Sequence, residues 1–334
     1  SRCCKAGGQM NRRILLEWPD LQLSAIAELA DDKNPELCDD LWNALPICSI
    51  MNNAVITDGS MYCWLPLLSF APIHYKERID EAPIGRLRYS QGTGNKLIVQ
   101  YSQCYEDVKG TVLGEIIPEH IDIVKKVGEK ARESIFMTKK ELHVRVSRLG
   151  EDKAAEPAKP EGVRPKDCRA EVTELVDRIL EKALEATKFE PRENKLARMG
   201  KVSGVGSCGQ YFSTWEFVYS LSRDLSMYTL YPISHMCRTT DIDVRHLEKI
   251  YAELEPGYTG VLGSYGLREL REFSKEIRAL FAKEIVTREE FQCVVDAFTL
   301  YTNQVAAWAY FYYPWGIGTA CFRFSDENKD YIAK

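Results

Sequence analysis

The stretch Gly150-Glu151-Asp152-Lys153-Ala154-Ala155-Glu156-Pro157-Ala158-Lys159-Pro160-Glu161-Gly162-Val163-Arg164-Pro165-Lys166-Asp167 decides how the chain divides. It holds three prolines and many charges, and Val163 is its one large apolar side chain. Such a segment cannot bury enough surface to offset the entropy of ordering it, so it reads as a linker. The hydrophobic texture changes across it, from short β-like runs before to a helical period after.

On the N-terminal side, apolar and β-branched runs recur at 14–18, 21–29, 47–56, 60–65, 85–90, 97–101, 110–117 and 141–147. Turn residues punctuate them. Thr57-Asp58-Gly59-Ser60 is a hairpin signal, because Asp-Gly supplies the positive φ angles of a tight turn. Gln91-Gly92-Thr93-Gly94-Asn95 is a second. Two helical patches interrupt the strands, at 35–45 and at 120–127 ahead of Gly128. Many short antiparallel strands with two helices predict a closed barrel.

On the C-terminal side, Val172, Leu175, Val176, Ile179, Leu180, Ala183 and Leu184 form one apolar stripe at helical spacing. Similar stripes run through 215–225, 244–254, 267–281 and 288–311, and Thr287-Arg288-Glu289-Glu290 is a capping box opening the last. Pro256-Gly257 and Pro314-Trp315-Gly316 read as stops. Five or so helices make a bundle. The expected organisation is therefore α+β in two domains: a leader at 1–9, a barrel at 10–149, the linker at 150–167 and an all-α bundle at 168–334.

Composition narrows the function. The 334 residues are 45% hydrophobic and 28% charged, the globular range. A net charge of −5 argues against a nucleic-acid partner, which needs a basic face to displace counterions. The eleven cysteines are scattered, odd in number and without a CxxC, which reads as reduced thiols and no metal site. No run approaches the ~18 apolar residues of a membrane span, and residues 1–9 lack the apolar core of a secretory signal. The expected location is cytoplasmic.

Gly204-Val205-Gly206-Ser207-Cys208-Gly209 matches GxGxxG, but a polar helical stretch rather than a strand precedes it, so no dinucleotide site is expected. Gly92-Thr93-Gly94-Asn95-Lys96 is not a P-loop: the spacing is wrong and no Ser or Thr follows the lysine. Of the five histidines, His120, His143 and His246 read as structural or solvent-facing. His74 follows Ala71-Pro72-Ile73 in an irregular loop and is a candidate. His235 lies in the polar segment 234–241, read as a loop, where Arg238 and Asp241 would put a cation beside a near-neutral base. The plain alternative is a helix cap with exposed charges. Arg86 and Arg88 alternate with Leu87 and Tyr89, so both cations share one strand face, where with Tyr101 and Gln103 they would suit a dicarboxylate. A solvated strand face explains them equally. The aromatic run 310–315 is too continuous for one buried helix face, so part of it is expected to pack on the barrel.

The order of barrel motifs is familiar. Arg13-Ile14-Leu15-Leu16-Glu17 is followed by a helix ending Leu41-Trp42-Asn43-Ala44-Leu45-Pro46, then Asp58-Gly59-Ser60-Met61-Tyr62-Cys63-Trp64, Ile84-Gly85-Arg86-Leu87-Arg88-Tyr89 and Gly114-Glu115-Ile116-Ile117. The last is similar to the closing element of small bacterial cyclophilin-like proteins, with Glu115 where a lysine is usual. The catalytic arginine and peptide groove of prolyl isomerases are not recognisable. A cyclophilin-like barrel followed by a helical bundle resembles the cucumopine and mikimopine synthases, opine synthases encoded on DNA that hairy-root bacteria transfer into plants. The resemblance covers about Met10 to the C-terminus and rests on domain order and texture.

That resemblance implies a cofactor-free Pictet–Spengler condensation of L-histidine with α-ketoglutarate, in the cytoplasm of the transformed plant cell. No nucleic-acid or membrane partner is implied, and a homo-oligomer is left open. The chemistry asks for cations for carboxylates, a base tuned near neutrality, and one cleft holding both reactants. With a cleft between barrel and bundle, His235 or Glu216 is the expected base and Tyr211 or Tyr101 the proton donor. Arg86, Arg88 and Arg238 are the expected anchors, with Gln103 and His74 as further binding residues. Two other functions fit the same fold: a non-catalytic ligand- or peptide-binding protein with a helical interaction module, and a hydrolase or lyase acting on another small carboxylate.

Overall fold

A computed structural model describes residues 11–151, 168–202, 211–283 and 286–315, with the side chains of 211–213 excepted. The leader, almost all of the linker, the 204–209 glycine motif and Cys3, Cys4, Cys208 and Cys321 lie outside the described residues.

The strands are β1 (Arg13–Trp18), β2 (Leu23–Leu29), β3 (Ile47–Asn53), β4 (Ser60–Trp64), β5 (Lys76–Arg78), β6 (Arg86–Tyr89), β7 (Lys96–Gln100), β8 (Lys109–Ile116) and β9 (His143–Arg148). They pair antiparallel in the order β2-β1-β9-β3-β4-β7-β6-β8, and β8 pairs back with β2, so eight strands close into a barrel. The sequence runs anticipated all eight. The ninth, β5, adds to β8 beside β2. Its Lys-Glu-Arg carries no apolar signal, so its pairing rests on backbone alone.

Alternation sets the two barrel faces. Ile14, Leu16, Trp18, Met61, Cys63, Leu87, Tyr89, Leu97, Val99, Val144 and Val146 form the interior with α1 (Pro35–Ala44) and α2 (Ile121–Glu133). Asp58 and Gly59 take φ of 49° and 57° in the turn between β3 and β4, as the Asp-Gly signal requires. The second helix does not stop at Gly128. A Cβ there would lie 2.0 Å from the Tyr101 ring, so this glycine serves close packing and not a helix end.

The helices after the linker are α3 (Ala170–Ala186), α4 (Arg192–Arg198), α5 (Tyr211–Asp224), α6 (Tyr231–Thr239), α7 (Val244–Ser264), α8 (Arg268–Ala282) and α9 (Arg288–Tyr312). The capping box at Thr287 and Glu290 forms in full. Two expectations fail. Pro256-Gly257 lies inside α7, because Thr259, Leu262 and Gly263 beyond it stay buried and Thr259 bonds Ser274 of α8 at 2.9 Å. The segment 234–241 is not a loop up to Thr239: Tyr231, Ile233, Ser234 and Cys237 are buried at helical spacing, making α6. A wide π turn at Leu225–Leu230 joins α6 to α5.

The two halves meet along α9, whose residues from Cys293 to Phe311 are all buried. Ile50, Tyr62 and Trp64 point outward from the barrel yet are buried, because Ala307, Trp308, Tyr310 and Phe311 of α9 and Met227 of the π turn cover them. Each such fully buried large side chain contributes about 1.5–3 kcal/mol. Polar ties cross the same seam. Tyr310 Oη donates to Asn53 O at 2.9 Å, and Tyr231 Oη to Ser69 O at 3.0 Å. Lys139 Nζ donates to Phe311 O at 2.8 Å and Tyr313 O at 2.7 Å, capping the end of α9 from the barrel side. Part of the 310–315 aromatic run thus packs on the barrel.

Candidate active site

The seam exposes one edge where charge and aromatic surface meet. On the outer face of the barrel, β7 turns Lys96, Ile98 and Gln100 outward beside Trp64, Tyr62 and Ser60 of β4, in that register. Lys96 Nζ sits 4.8 Å from the Tyr62 ring centre and 4.9 Å from that of Trp64. It makes no hydrogen bond or ion pair among the described residues. Burial against these rings, with the charge of Arg223 adding to it, brings the ammonium down to about 8, although part of the side chain remains accessible.

The bundle supplies the opposite wall. Glu216, Tyr219 and Arg223 follow one another at i, i+3 and i+7, so they share one face of α5, and the π turn carries that row on to Met227. Tyr219 touches Tyr310 at 5.7 Å, Tyr313 at 5.1 Å and Trp315 at 5.5 Å between ring centres. Tyr310 in turn touches Tyr62 at 5.7 Å and Trp64 at 5.5 Å. The rings therefore form a continuous shelf from β4 to α5. Lys96 and Arg223 sit on it, and the Tyr313 hydroxyl donates to the Glu216 carboxylate. Arg223 meets Asp224 only at 3.4 Å, in a pair 40% and 37% exposed, which water screens.

The residues singled out from sequence scatter. Glu216 alone among them lies on this shelf. Arg86 and Arg88 do share the outer barrel face, but both are already engaged, although the buried Arg88 Nε has no hydrogen-bond partner among the described residues. Arg86 is paired with Glu77 at 2.5 Å and Glu115 at 2.8 Å. Arg88 is buried and donates to Gln100 Oε1 at 2.5 Å and Ser60 Oγ at 2.9 Å, where burial pulls the guanidinium below its ordinary value. Arg238 lies at another part of the seam, paired with buried Asp296 of α9 and 3.9 Å over the Phe70 ring of the barrel half. His235 is exposed on α6, its Nδ1 3.5 Å from Thr239 Oγ1 and its ring stacked 6.3 Å from that of Phe70, so it and Arg238 meet the same barrel residue, away from the shelf. Tyr101 lies inside the barrel, donating to Asn53 Oδ1 at 2.9 Å, and burial with the Asp58 charge pushes its phenol up. Gln103 ties a loop through Asp80 O at 2.8 Å. His74 pairs with Glu36 at 2.9 Å on the surface. The Tyr211 side chain lies outside the described residues.

Sequence reasoning missed Lys96, Trp64, Tyr219 and Arg223. The alternation of β7 and the spacing on α5 signal their faces; nothing in either signals that the two faces meet. Among the described residues no three His, Cys, Asp or Glu side chains converge in a metal-binding arrangement, and no helix is long and apolar enough to cross a membrane.

Residues 172–311 match the family described as the cucumopine synthase C-terminal helical bundle domain. Among solved structures, that of McbB in complex with tryptophan is similar over 92% of this chain and 99% of that chain, at 29% identity and a TM-score of 0.85. The solution structure of the hypothetical protein AF2241 from Archaeoglobus fulgidus covers 42% of this chain and 98% of that one at 15% identity, and its TM-score of 0.29 is too low to relate the folds. No curated protein matches the sequence.

Proposed function

From a bundle that belongs to the cucumopine synthase C-terminal helical bundle family, joined to a barrel in the arrangement found in McbB, we propose that the protein is an opine synthase of Pictet–Spengler type. It condenses L-histidine with α-ketoglutarate, with no nucleotide or metal taking part. The amine adds to the keto carbon and water leaves to give an imine. An imidazole carbon then closes the ring, and a proton is lost to restore aromaticity.

The observation that carries this reading is the seam shelf, with its rings, a Lys96 unpaired among the described residues and an Arg223 held only by a screened contact with Asp224. An imidazole or indole stacks on Tyr219 or Trp315 in the offset or edge-on geometry aromatic pairs favour. Glu216 is the base, positioned by the Tyr313 hydroxyl. Holding both reactants on one rigid shelf in an attacking pose contributes up to about 7–11 kcal/mol of the barrier. The tryptophan-bound McbB structure favours a second amine, L-tryptophan, whose indole the same shelf would take.

Purified protein is incubated with α-ketoglutarate and either amine, without metal or nucleotide, and the products are weighed by mass spectrometry. A product equal to both substrates less one water is expected with histidine. Product with tryptophan alone moves the amine and keeps the reaction class. No product with either, or product only with NADH, discards the proposal.

A further inference from the structure

We propose that Lys96 of the barrel and Arg223 of the bundle, with the indole N–H of Trp64, form a carboxylate-binding subsite that takes the α-keto acid; this rests on the condensation proposed above. Three observations converge. First, Lys96 Nζ faces rings and the like charge of Arg223, and no carboxylate of the described residues pairs with it. Lys96 has no anion of its own among the described residues, and Arg223 has only the long, screened contact with Asp224, so the two cations repel and an incoming carboxylate relieves that repulsion. Second, Trp64 is 1% exposed and its Nε1 has no hydrogen-bond partner among the described residues. A buried donor is ordinarily satisfied, so an unpaired one beside a cation points to a missing acceptor. Third, the groups meet at a glycine: a Cβ on Gly94 would overlap Trp64 Nε1 at 2.5 Å, Lys96 Cε at 2.7 Å and Met227 Cε at 2.9 Å, so Lys96 and the Trp64 indole edge are packed side by side around a position that only glycine fits.

The other arginines cannot serve as well. Arg86 and Arg238 already hold carboxylates, and Arg88 is closed in by Gln100 and Ser60. Arg223 needs to release little, since its contact with Asp224 is long and half-exposed. The subsite also spans both halves of the molecule, so neither barrel nor bundle holds the keto acid alone.

The test is calorimetric titration of α-ketoglutarate into the full chain without amine, at a pH of about 8, to which burial brings the Lys96 ammonium down. Lys96→Met and Arg223→Met should each weaken binding by about 10- to 100-fold, the effect of losing a charged hydrogen-bond partner. The dimethyl ester should not compete. Wild type should take up protons on binding, read from buffers of different ionisation enthalpy, and Lys96→Met should take up fewer. Lys96→Gln, which keeps the stem, serves if the methionine variant folds poorly. Wild-type affinity in both folded variants overturns the subsite. Lys96-dependent binding with no product from either amine keeps the subsite and removes the condensation. Wild-type turnover and KM in both variants does the reverse.

Discussion

Arg238→Ala separates a structural cation from a substrate anchor. Arg238 and Asp296 form a pair in which the carboxylate side chain is 2% exposed and the guanidinium 21%. Arg238 Nη1 lies 3.1 Å from Asp296 Oδ1 and 2.5 Å from Ser234 Oγ, and Nη2 donates to Asp296 Oδ2. Removing the arginine leaves Asp296 buried with Ser234 as its remaining donor. Breaking such a pair from one side costs about 3–5 kcal/mol, which includes the uncompensated charge. For a domain of this size that lowers Tm by on the order of 10 °C. Burial already raises the Asp296 carboxyl above its ordinary value against the pull of Arg238, and without the arginine it rises further. A folded-state value above the unfolded one means the native state binds the extra proton. The variant's deficit against wild type is therefore smallest in acid and grows as pH rises past the raised value of the wild-type Asp296 carboxyl, where only the variant's native state still holds the proton. Arg238→Met with Asp296→Leu should recover most of the loss, because no charge stays buried. Thermal melts from pH 4 to 8, with KM for α-ketoglutarate on the folded fraction, decide it. A variant within about 1 kcal/mol of wild type but with KM raised tenfold would refute this reasoning and restore Arg238 as an anchor.

Lys96→Met should raise stability at pH 7, since the folded value of about 8 lies below the ordinary 10.5. The unfolded chain then holds more protons between those values, so wild type gains stability across that window and the melts converge; parallel pH profiles would contradict it. Gly128→Ala should destabilise by about 1–3 kcal/mol even though alanine is the better helix former, because its methyl overlaps the Tyr101 ring. Tyr101→Ala should suppress that loss in urea melts, and purely additive effects would exclude the overlap. Glu216→Gln should lower turnover by about 10²- to 10⁴-fold with an unchanged melt; a loss below threefold would remove Glu216 as the base.

What the sequence disclosed follows from how local each signal is. Eight strands were legible because their alternation and turns lie within a few residues, whereas β5 exists only through its backbone pairing with β8. Pro256 and Gly128 read as punctuation because what keeps each helix going lies outside the local window: Thr259 beyond the proline bonds Ser274 of α8, and Gly128 packs on Tyr101. Helix α6 was obscured by Pro232, Ser234 and Thr239, although Ile233 and Cys237 keep helical spacing and Ser234 turns inward to Asp296.

The site was the least legible part, for the same reason carried further. Every arginine favoured from sequence stood near acidic or polar neighbours that neutralise or enclose it, so a conspicuous cation was also an occupied one. Lys96 stood in a glycine motif dismissed because it could not cradle a phosphate. Its environment depends on which outer strand face the bundle covers, and that is set by Trp308, Tyr310 and Phe311, more than 200 residues along the chain. Strand period fixes that Lys96 points outward. It does not fix whether outward means water or a wall of tyrosines. A cation becomes available for a ligand when it is partly removed from water and given no anion, and that condition belongs to the junction of the two halves.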